Sequence, residues 1–518
     1  MRTRALAAAL AAVALLAGGL VASVAAPAAA AEVTVTGRVY SLPTSEPLDG
    51  MRVEIVAVNP DGSFGAVLGS TLTTTVGTEP GRFVMTLPAS KPTGRAALRT
   101  VDPAGRYMTS YDDYARTYPA PYTLLDGGLW DYVYGANGGQ QWFSFGMAPA
   151  GRFVPVAPVR LADTRVNGHG PMRRGDWYEV PLPVLVGEVV AVVVNVTATR
   201  TQCAADYISS GVNVVGFSQG GSETSIVNGR AGADVANVAV VRTIGRDVGV
   251  LLYNHACATD VVVDLQGYYD SAIDGAAAGY VAVSPERVLD TRTGSGPLGA
   301  GQSRRVDVGA LGSRPADAVA VSVNITATGT TAPTSYLSAY ATGDHAGRQT
   351  SVLNAYRGQD VANLAVVPLA DDGSIEVYNN AGQTDVVLDV QGWYSETGGV
   401  SFFPLDHRRL TTGSLVLGPG QERLVGAPGR GIEIPADAQA LAVNLTSAAG
   451  TASTSYVTAY PDGSPRPLAS NLNSRYGVDL ANSALVGLGP AGHRLYNNSG
   501  SVVLLEDIQG YFAPGPLD

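Results

Sequence analysis

Gly216-Phe217-Ser218-Gln219-Gly220 has the Gly-x-Ser-x-Gly pattern of a nucleophile elbow, and Asp234 or Asp247 and then His255 follow it in the order serine, acid, base. That constellation would perform acyl transfer. An elbow needs a strand before the serine and a helix after it, and residues 221–228 carry no helical period. The string also falls where the second copy of an internal repeat reads Thr342-Gly343-Asp344-His345-Ala346-Gly347, so it is read as a length-variable turn and no catalytic residue is assigned. His169, His255, His345, His407 and His493 stand singly and share no repeat position, which gives no metal-ligand spacing. The sequence also has no phosphate loop, dinucleotide fingerprint or contiguous Asp/Asn calcium loop. No metal and no cofactor is expected. Cys203 and Cys257 lie within one repeat and are expected to form a local disulfide, since closing a loop of about 55 residues gains roughly 4 kcal/mol in the chain-entropy model.

Binding chemistry is concentrated elsewhere. Tyr107, Tyr111, Tyr114, Trp130, Tyr132 and Trp142 crowd one short segment, with Asp112, Asp113, Asp126 and Asn137 among them. Amphipathic rings beside carboxylates and amides can stack on a sugar ring and hydrogen-bond its hydroxyls. The same rings can equally form the core of an irregular extension.

A passage written three times must position whatever follows. It ends in Asp264-Leu265-Gln266-Gly267-Tyr268, Asp389-Val390-Gln391-Gly392-Trp393 and Asp507-Ile508-Gln509-Gly510-Tyr511. Upstream of each ending, Asn195, Asn324 and Asn444 close an apolar run, followed by Asn228, Asn354 and Asn473. Ala-Asn pairs then bring Asn237, Asn363 and Asn482, and Tyr-Asn pairs bring Asn254, Asn379 and Asn497. The period of about 120 residues is too long for a solenoid and suits an independent domain. The runs at 189–196, 237–241, 250–253 and 261–265 read as strands, the first apolar at nearly every position and therefore covered on both faces. Each Tyr-Asn pair is expected in a hairpin turn, and the Asp-x-Gln-Gly-aromatic ending is expected to terminate the sheet. Asn195, Asn324 and Asn444 stand in glycosylation sequons, but a glycan would have to leave a nearly buried strand. These asparagines and the terminal Asp and Gln residues are read instead as buried or turn-stapling networks.

The expected fold is all-β: residues 32–150 form a β-sandwich with an aromatic-rich extension, and residues 151–270, 279–395 and 400–513 form three β-sandwich or barrel-like repeats. The short linkers suggest a semi-rigid string of beads. Residues 1–31, with Arg2 and Arg4 before an Ala/Leu/Val run, read as a secretory signal peptide, and no other stretch is long and apolar enough to span a bilayer. A net charge of −11 and the lack of any Lys/Arg cluster argue against nucleic acid as a partner.

The repeat openings, Pro158-Val159-Arg160-Leu161-Ala162-Asp163-Thr164-Arg165 and Pro285-Glu286-Arg287-Val288-Leu289-Asp290-Thr291-Arg292, together with the Asn and Asp-x-Gln-Gly motifs, resemble the "RLLDTR" tandem repeat of secreted and cell-wall-associated actinobacterial proteins. Residues 32–100, with Gly37-Arg38-Val39, Leu48-Asp49-Gly50-Met51-Arg52-Val53 and Gly81-Arg82-Phe83, resemble carboxypeptidase regulatory-like, or transthyretin-like, domains. These resemblances imply an extracellular, wall- or polymer-associated protein without a reaction of its own. Asp163 with Arg165, and Asp290 with Arg292, are read as ion pairs that share a strand face and lock the opening strand. The third repeat has Arg408-Arg409-Leu410-Thr411-Thr412-Gly413 there and lacks the pair. The function expected is a non-enzymatic adhesion or glycan-binding array on a cell-wall polysaccharide. The alternatives are a structural spacer in an envelope matrix and a wall-polysaccharide hydrolase.

Overall fold

The computed structural model describes residues 33–41, 44–59, 64–87, 93–107, 110–112, 141–183, 187–211, 224–243, 249–272, 277–411, 415–426, 434–515 and 518. Regular structure among them is almost entirely strand, with three short 3-10 turns. The proposed signal peptide and the Gly-x-Ser-x-Gly string lie outside the described residues.

The first unit is a pair of four-stranded sheets. Val33–Ser41 pairs antiparallel with Glu79–Leu87 and parallel with Gln141–Met147. Arg52–Val58 pairs with Phe64–Leu72 and Arg95–Val101 in the second sheet. Alternation aims Val35, Val39, Val53, Ile55, Phe83, Phe143 and Phe145 into the space between the sheets.

Each repeat is a two-sheet sandwich whose strands follow one order. In the first repeat the inner sheet runs Val235–Arg242, Val189–Thr199, Asp260–Asp270, Arg152–Asp163, and the outer sheet runs Trp177–Val180, Val250–Asn254, Asp206–Gly211, Val227–Gly229. Numbered by sequence within the repeat, these are 6-3-8-1 and 2-7-4-5, the double Greek key of a jelly roll. The second and third repeats have the same order, with one additional short strand, Leu415–Leu417, in the third. The strand Asp260–Asp270 and its counterparts Asp385–Ser395 and Val502–Ala513 are therefore interior strands, each paired on both sides, and do not end a sheet. Nor do the Tyr-Asn pairs sit in hairpins. Val250–Asn254 and Asp260–Asp270 belong to different sheets, so each pair stands at an arch crossing the sandwich. There Asn254 Nδ2 donates to the carbonyls of Met172 and Cys257, as Asn379 does to those of Leu298 and Gly382 and Asn497 to those of Leu417 and Gly500.

The repeats do not hang like beads. They close into a pseudo-threefold ring with the inner sheets facing the axis. Central strand Val189–Thr199 is buried at all but its first residue, because one face packs on its own outer sheet and the other on the neighbouring repeats. Phe153 and Tyr269, Tyr280 and Tyr394, and Phe402 and Phe512 form a closed belt on the axis. Rings from different repeats approach to 4.2 Å for Phe153 with Tyr394, 4.3 Å for Tyr269 with Phe402 and 4.3 Å for Tyr280 with Phe512. Backbone bridges join Phe153 to Ala278, Tyr280 to Val400 and Gly151 to Phe402, the last closing the circle from first repeat to third.

Below the belt lies a polar layer made by the repeated amides. Asn363 Nδ2 donates to Asn195 Oδ1 (3.0 Å), Asn482 Nδ2 to Asn324 Oδ1 (2.9 Å) and Asn237 Nδ2 to Asn444 Oδ1 (2.9 Å). Every bond crosses from one repeat to the next. The Oδ1 atoms of Asn363, Asn482 and Asn237 accept the backbone N–H of Val238, Leu364 and Ser483. Asn195, Asn324 and Asn444 donate to the carbonyls of Ser351, Ser470 and Ser225. The glutamines add a second cycle: Gln266, Gln391 and Gln509 accept from the N–H of Val366, Leu485 and Val240. Buried amides left without these partners would each cost about 1–3 kcal/mol, so the cycle both satisfies the groups and fixes the register between repeats.

This packing explains each letter of the repeated ending. The Asp pairs with an opening-strand arginine, at 2.5 Å for Asp264 with Arg160, 2.8 Å for Asp389 with Arg287 and 2.5 Å for Asp507 with Arg409. The Gln reaches the next repeat. The Gly leaves room for the belt: a Cβ on Gly267, Gly392 or Gly510 would sit 2.2 Å from Phe153, 2.3 Å from Tyr280 or 2.3 Å from Phe402. The aromatic that follows, Tyr268, Trp393 or Tyr511, fills the core of its own sandwich.

Candidate functional site

Of the six aromatic residues picked out in the segment before the repeats, Tyr107 is placed in full. It is half-buried, bridges to Pro149 and packs against the first unit's core, and burial raises its phenol pKa. Tyr111 lies on the short strand Ser110–Asp112 and Trp142 on Gln141–Met147, opposite Thr36. Tyr114, Trp130 and Tyr132 lie outside the described residues. Phe143 and Phe145, in the same segment, are core residues.

Cys203 and Cys257 form a disulfide joining the start of one outer strand to the arch after another. Asp206 lies beside it, but its carboxylate accepts from the backbone N–H of Tyr207 and Ala256 and from Thr259 Oγ1, and both sulfurs are oxidised, so the cluster is not a free metal-ligand set. The Asp163–Arg165 contact is a turn device and not a shared strand face. Asp163 accepts the backbone N–H of Arg165 (3.1 Å) and two bonds from its guanidinium (2.7 and 2.6 Å) just past the strand end, and Asp290 with Arg292 repeats this on a 3-10 turn. Those hydrogen bonds hold the carboxyls of Asp163 and Asp290 below the usual range. The intervening Thr164 and Thr291 donate to Asp260 and Asp385, tying the turn to the neighbouring strand. The corresponding residues 412–414 of the third repeat lie outside the described residues.

His255, set aside with the serine motif, meets a different serine. Its Nε2 lies 2.9 Å from Ser209 Oγ, its ring stacks on Tyr207 at 3.8 Å, and burial pushes its pKa down to about 4. Ser209 is fully buried, and Asp206 spends its oxygens on the bonds given above, so no acid orients this pair as a triad would require.

Sequence reasoning passed over the outward faces of the outer sheets. In Ile375–Asn379 the burial alternates, so Ile375, Val377 and Asn379 point into the sandwich while Glu376 and Tyr378 point away. Tyr336 lies on the same face, 6.1 Å from Tyr378. The corresponding pair in the third repeat is Tyr456 with Tyr496 at 6.4 Å, where Tyr496 is buried, and in the first it is Tyr207 with Tyr253, joined through His255 and extended by Trp177 at 4.7 Å from Tyr253. Arginines border two of the faces: Arg348 is 5.6 Å from the ring centre of Tyr378, and Arg466 lies 3.8 Å from that of Tyr496. The sequence signal for these faces is the Tyr of each Tyr-Asn pair.

No protein family and no curated protein matches the chain. Among solved structures it is similar to a protein described under "The Triple Jelly Roll Fold and Turret Assembly in an Archaeal Virus", at 9% identity over 70% of this chain and 91% of that one, with a TM-score of 0.16. A second match, from Sulfolobus Turreted Icosahedral Virus, has 8% identity, 70% and 92% coverage and a TM-score of 0.15. Scores this low carry no functional inference. Among the described residues no helix is long and apolar enough to cross a membrane.

Proposed function

We propose that this is a secreted, non-enzymatic protein that binds a cell-wall or other surface polysaccharide through the outer-sheet faces of its ring of repeats. The observation that carries the reading is the recurrence of a tyrosine pair on the outer sheets, half-buried as Tyr207/Tyr253 and Tyr336/Tyr378 in the first two repeats and present in the third as Tyr456 beside Tyr496, which Arg466 covers. Tyrosine rings, bordered by arginine in the second and third repeats, suit the alternating apolar and hydroxyl surfaces of a sugar chain. Weak sites held at fixed spacing on one ring gain avidity on a polymer. The resemblance of the first unit to transthyretin-like domains and of the repeats to the actinobacterial "RLLDTR" repeat belongs to the same proposal and supports a location at the wall.

The test is co-sedimentation of the full chain with purified peptidoglycan, arabinogalactan-type polymer and chitin. Wild type should sediment with at least one, and Tyr253→Ala, Tyr378→Ala and Tyr456→Ala together should release it, whereas Trp142→Ala alone should not. Failure to bind any polymer would leave the spacer reading in its place. Soluble sugar released from the polymer would revive the hydrolase.

A further inference from the structure

At the end of the ring axis away from the linkers, all three repeats converge on a small cavity of about 40 Å³. Arg230 of the first repeat, Tyr356 of the second and Arg475 of the third occupy equivalent positions around it, each seven residues before the axial Asn237, Asn363 or Asn482. Asn354 lines the same space. Arg230 Nη1, Arg475 Nε and Asn354 Nδ2 are buried donors without a partner, while Gln359 Oε1 is an unpaired acceptor at the same site. No described carboxylate forms an ion pair with either arginine. Asp234 and Asp360 line the cavity too, but Asp234 accepts from Thr199 Oγ1 and Asp360 from Thr328 Oγ1 (2.5 Å each), and their charges bear on Arg165 and Arg292. Tyr356 is also committed, its hydroxyl accepting from the backbone N–H of Asp234 (2.5 Å) and donating to the carbonyl of the same residue (3.1 Å).

Two guanidiniums facing one small cavity repel each other and waste donors unless something negative lies between them. Burial first, and then the neighbouring charge of Arg475, lower the pKa of Arg230, and burial lowers that of Arg475. A folded protein tolerates such a pair where an anion completes it.

We propose that the axial cavity binds a small oxyanion of the carboxylate, sulfate or phosphate class, clamped by Arg230 and Arg475 with the Asn354 amide as a third donor. The cavity is small, and none of the outer-sheet tyrosine pairs contributes to its lining, so the proposal does not depend on the polysaccharide reading. The anion would touch two or three repeats at once and bind only the closed ring, so occupancy stabilises the assembly by mass action.

The experiment titrates the full chain with sodium phosphate, sulfate and acetate at constant ionic strength, by calorimetry and by thermal unfolding, beside Arg230→Gln, Arg475→Gln and the double variant. Wild type should show saturable binding of at least one anion. Each single variant should weaken it about tenfold or more, the loss of one charge-assisted hydrogen bond. Because sulfate and phosphate stabilise most proteins by exclusion from their surface, the decisive quantity is the difference between wild type and double variant. The wild-type midpoint should rise further, while without anion the double variant should melt no lower than wild type. Parallel shifts in both proteins would overturn the proposal. Should the variants not fold, phosphorus-31 line broadening of inorganic phosphate by wild type decides it: no broadening, together with no heat from sulfate or acetate, overturns the site.

Discussion

Replacing Asn363 by Leu removes one amide from the axial cycle at almost unchanged volume. Asn363 is fully buried, donates to Asn195 Oδ1 (3.0 Å) and the carbonyl of Val352 (2.6 Å), and accepts the N–H of Val238 (3.2 Å). Leucine leaves those three groups buried and unpaired at about 1–3 kcal/mol each, or roughly 3–9 kcal/mol in all. If the ring of about 360 residues melts as one unit, its unfolding entropy is roughly 0.75 kcal/mol per kelvin, so the midpoint should fall by about 4–12 °C. Differential scanning calorimetry of the full chain checks this, with Asn237→Leu and Asn482→Leu as internal replicates because they occupy the same node. All three should lower a single ring transition by similar amounts. A midpoint within 1 °C of wild type would refute the cycle as a source of stability. Three resolved repeat transitions with only the mutated one displaced would refute the ring as a cooperative unit.

Asp507 is predicted to make the ring less stable as pH rises: burial pushes its carboxyl up to about 6 despite Arg409, so the folded state binds a proton more tightly than the unfolded state at 3.8. Stability should therefore fall between about pH 4 and 6, by up to about 3 kcal/mol from this group, and Asp507→Asn should flatten that slope in pH-resolved melting curves. Asp264 and Asp389 are shifted in the same direction and should retain their share of the slope in that variant. Replacing both cysteines by Ser should cost roughly 4 kcal/mol for a separation of 54 residues, about 5 °C in the ring midpoint, and adding reductant to wild type should reproduce the drop. Arg152 donates to Asp518 at 2.9 Å and to the carbonyls of Ala277, Ser395, Glu396 and Gly398; Arg152→Met should therefore cost about 3–5 kcal/mol, or about 4–7 °C by calorimetry.

The strands of each repeat were legible because their periodicity is local. Val189–Thr199 announces itself by ten apolar or small residues around one Asn, and Asp260–Asp270 by the run Val261-Val262-Val263. What covers the second face of Val189–Thr199 was not legible, because an invariant Asn bonded within its own repeat and one bonded to the next look identical in sequence. Linker length misled for a physical reason: Ala278 and Val400 are short of slack because they enter the axis and bridge to Phe153 and Tyr280, not because they space separate beads. Tyr253, Tyr378 and Tyr496 were visible as repeated letters, but their outward direction depends on the register of the outer sheet. That register is set by pairing partners such as Ser209, Ser338 and Thr458 from a distant strand.

A single chain lets the ring do something three identical subunits cannot, which is to place different residues at equivalent positions on the axis. Identical subunits would bring three guanidiniums together where Arg152 now stands alone. Here its counterparts are Gly279, where a Cβ would lie 2.4 Å from the carbonyl oxygen of Gly398, and Ser401, whose hydroxyl donates to the same Asp518 that Arg152 holds. One arginine can thus satisfy linker carbonyls from two repeats because its two neighbours yield the space. At the other end, Arg230, Tyr356 and Arg475 differ in the same way: the tyrosine is fastened to Asp234 and the two arginines face the cavity. The asparagine and glutamine nodes between these ends remain identical three times, as a symmetric register requires. Agreement among the copies therefore marks what holds the ring, and disagreement at its ends marks where a ligand can be told apart from scaffold.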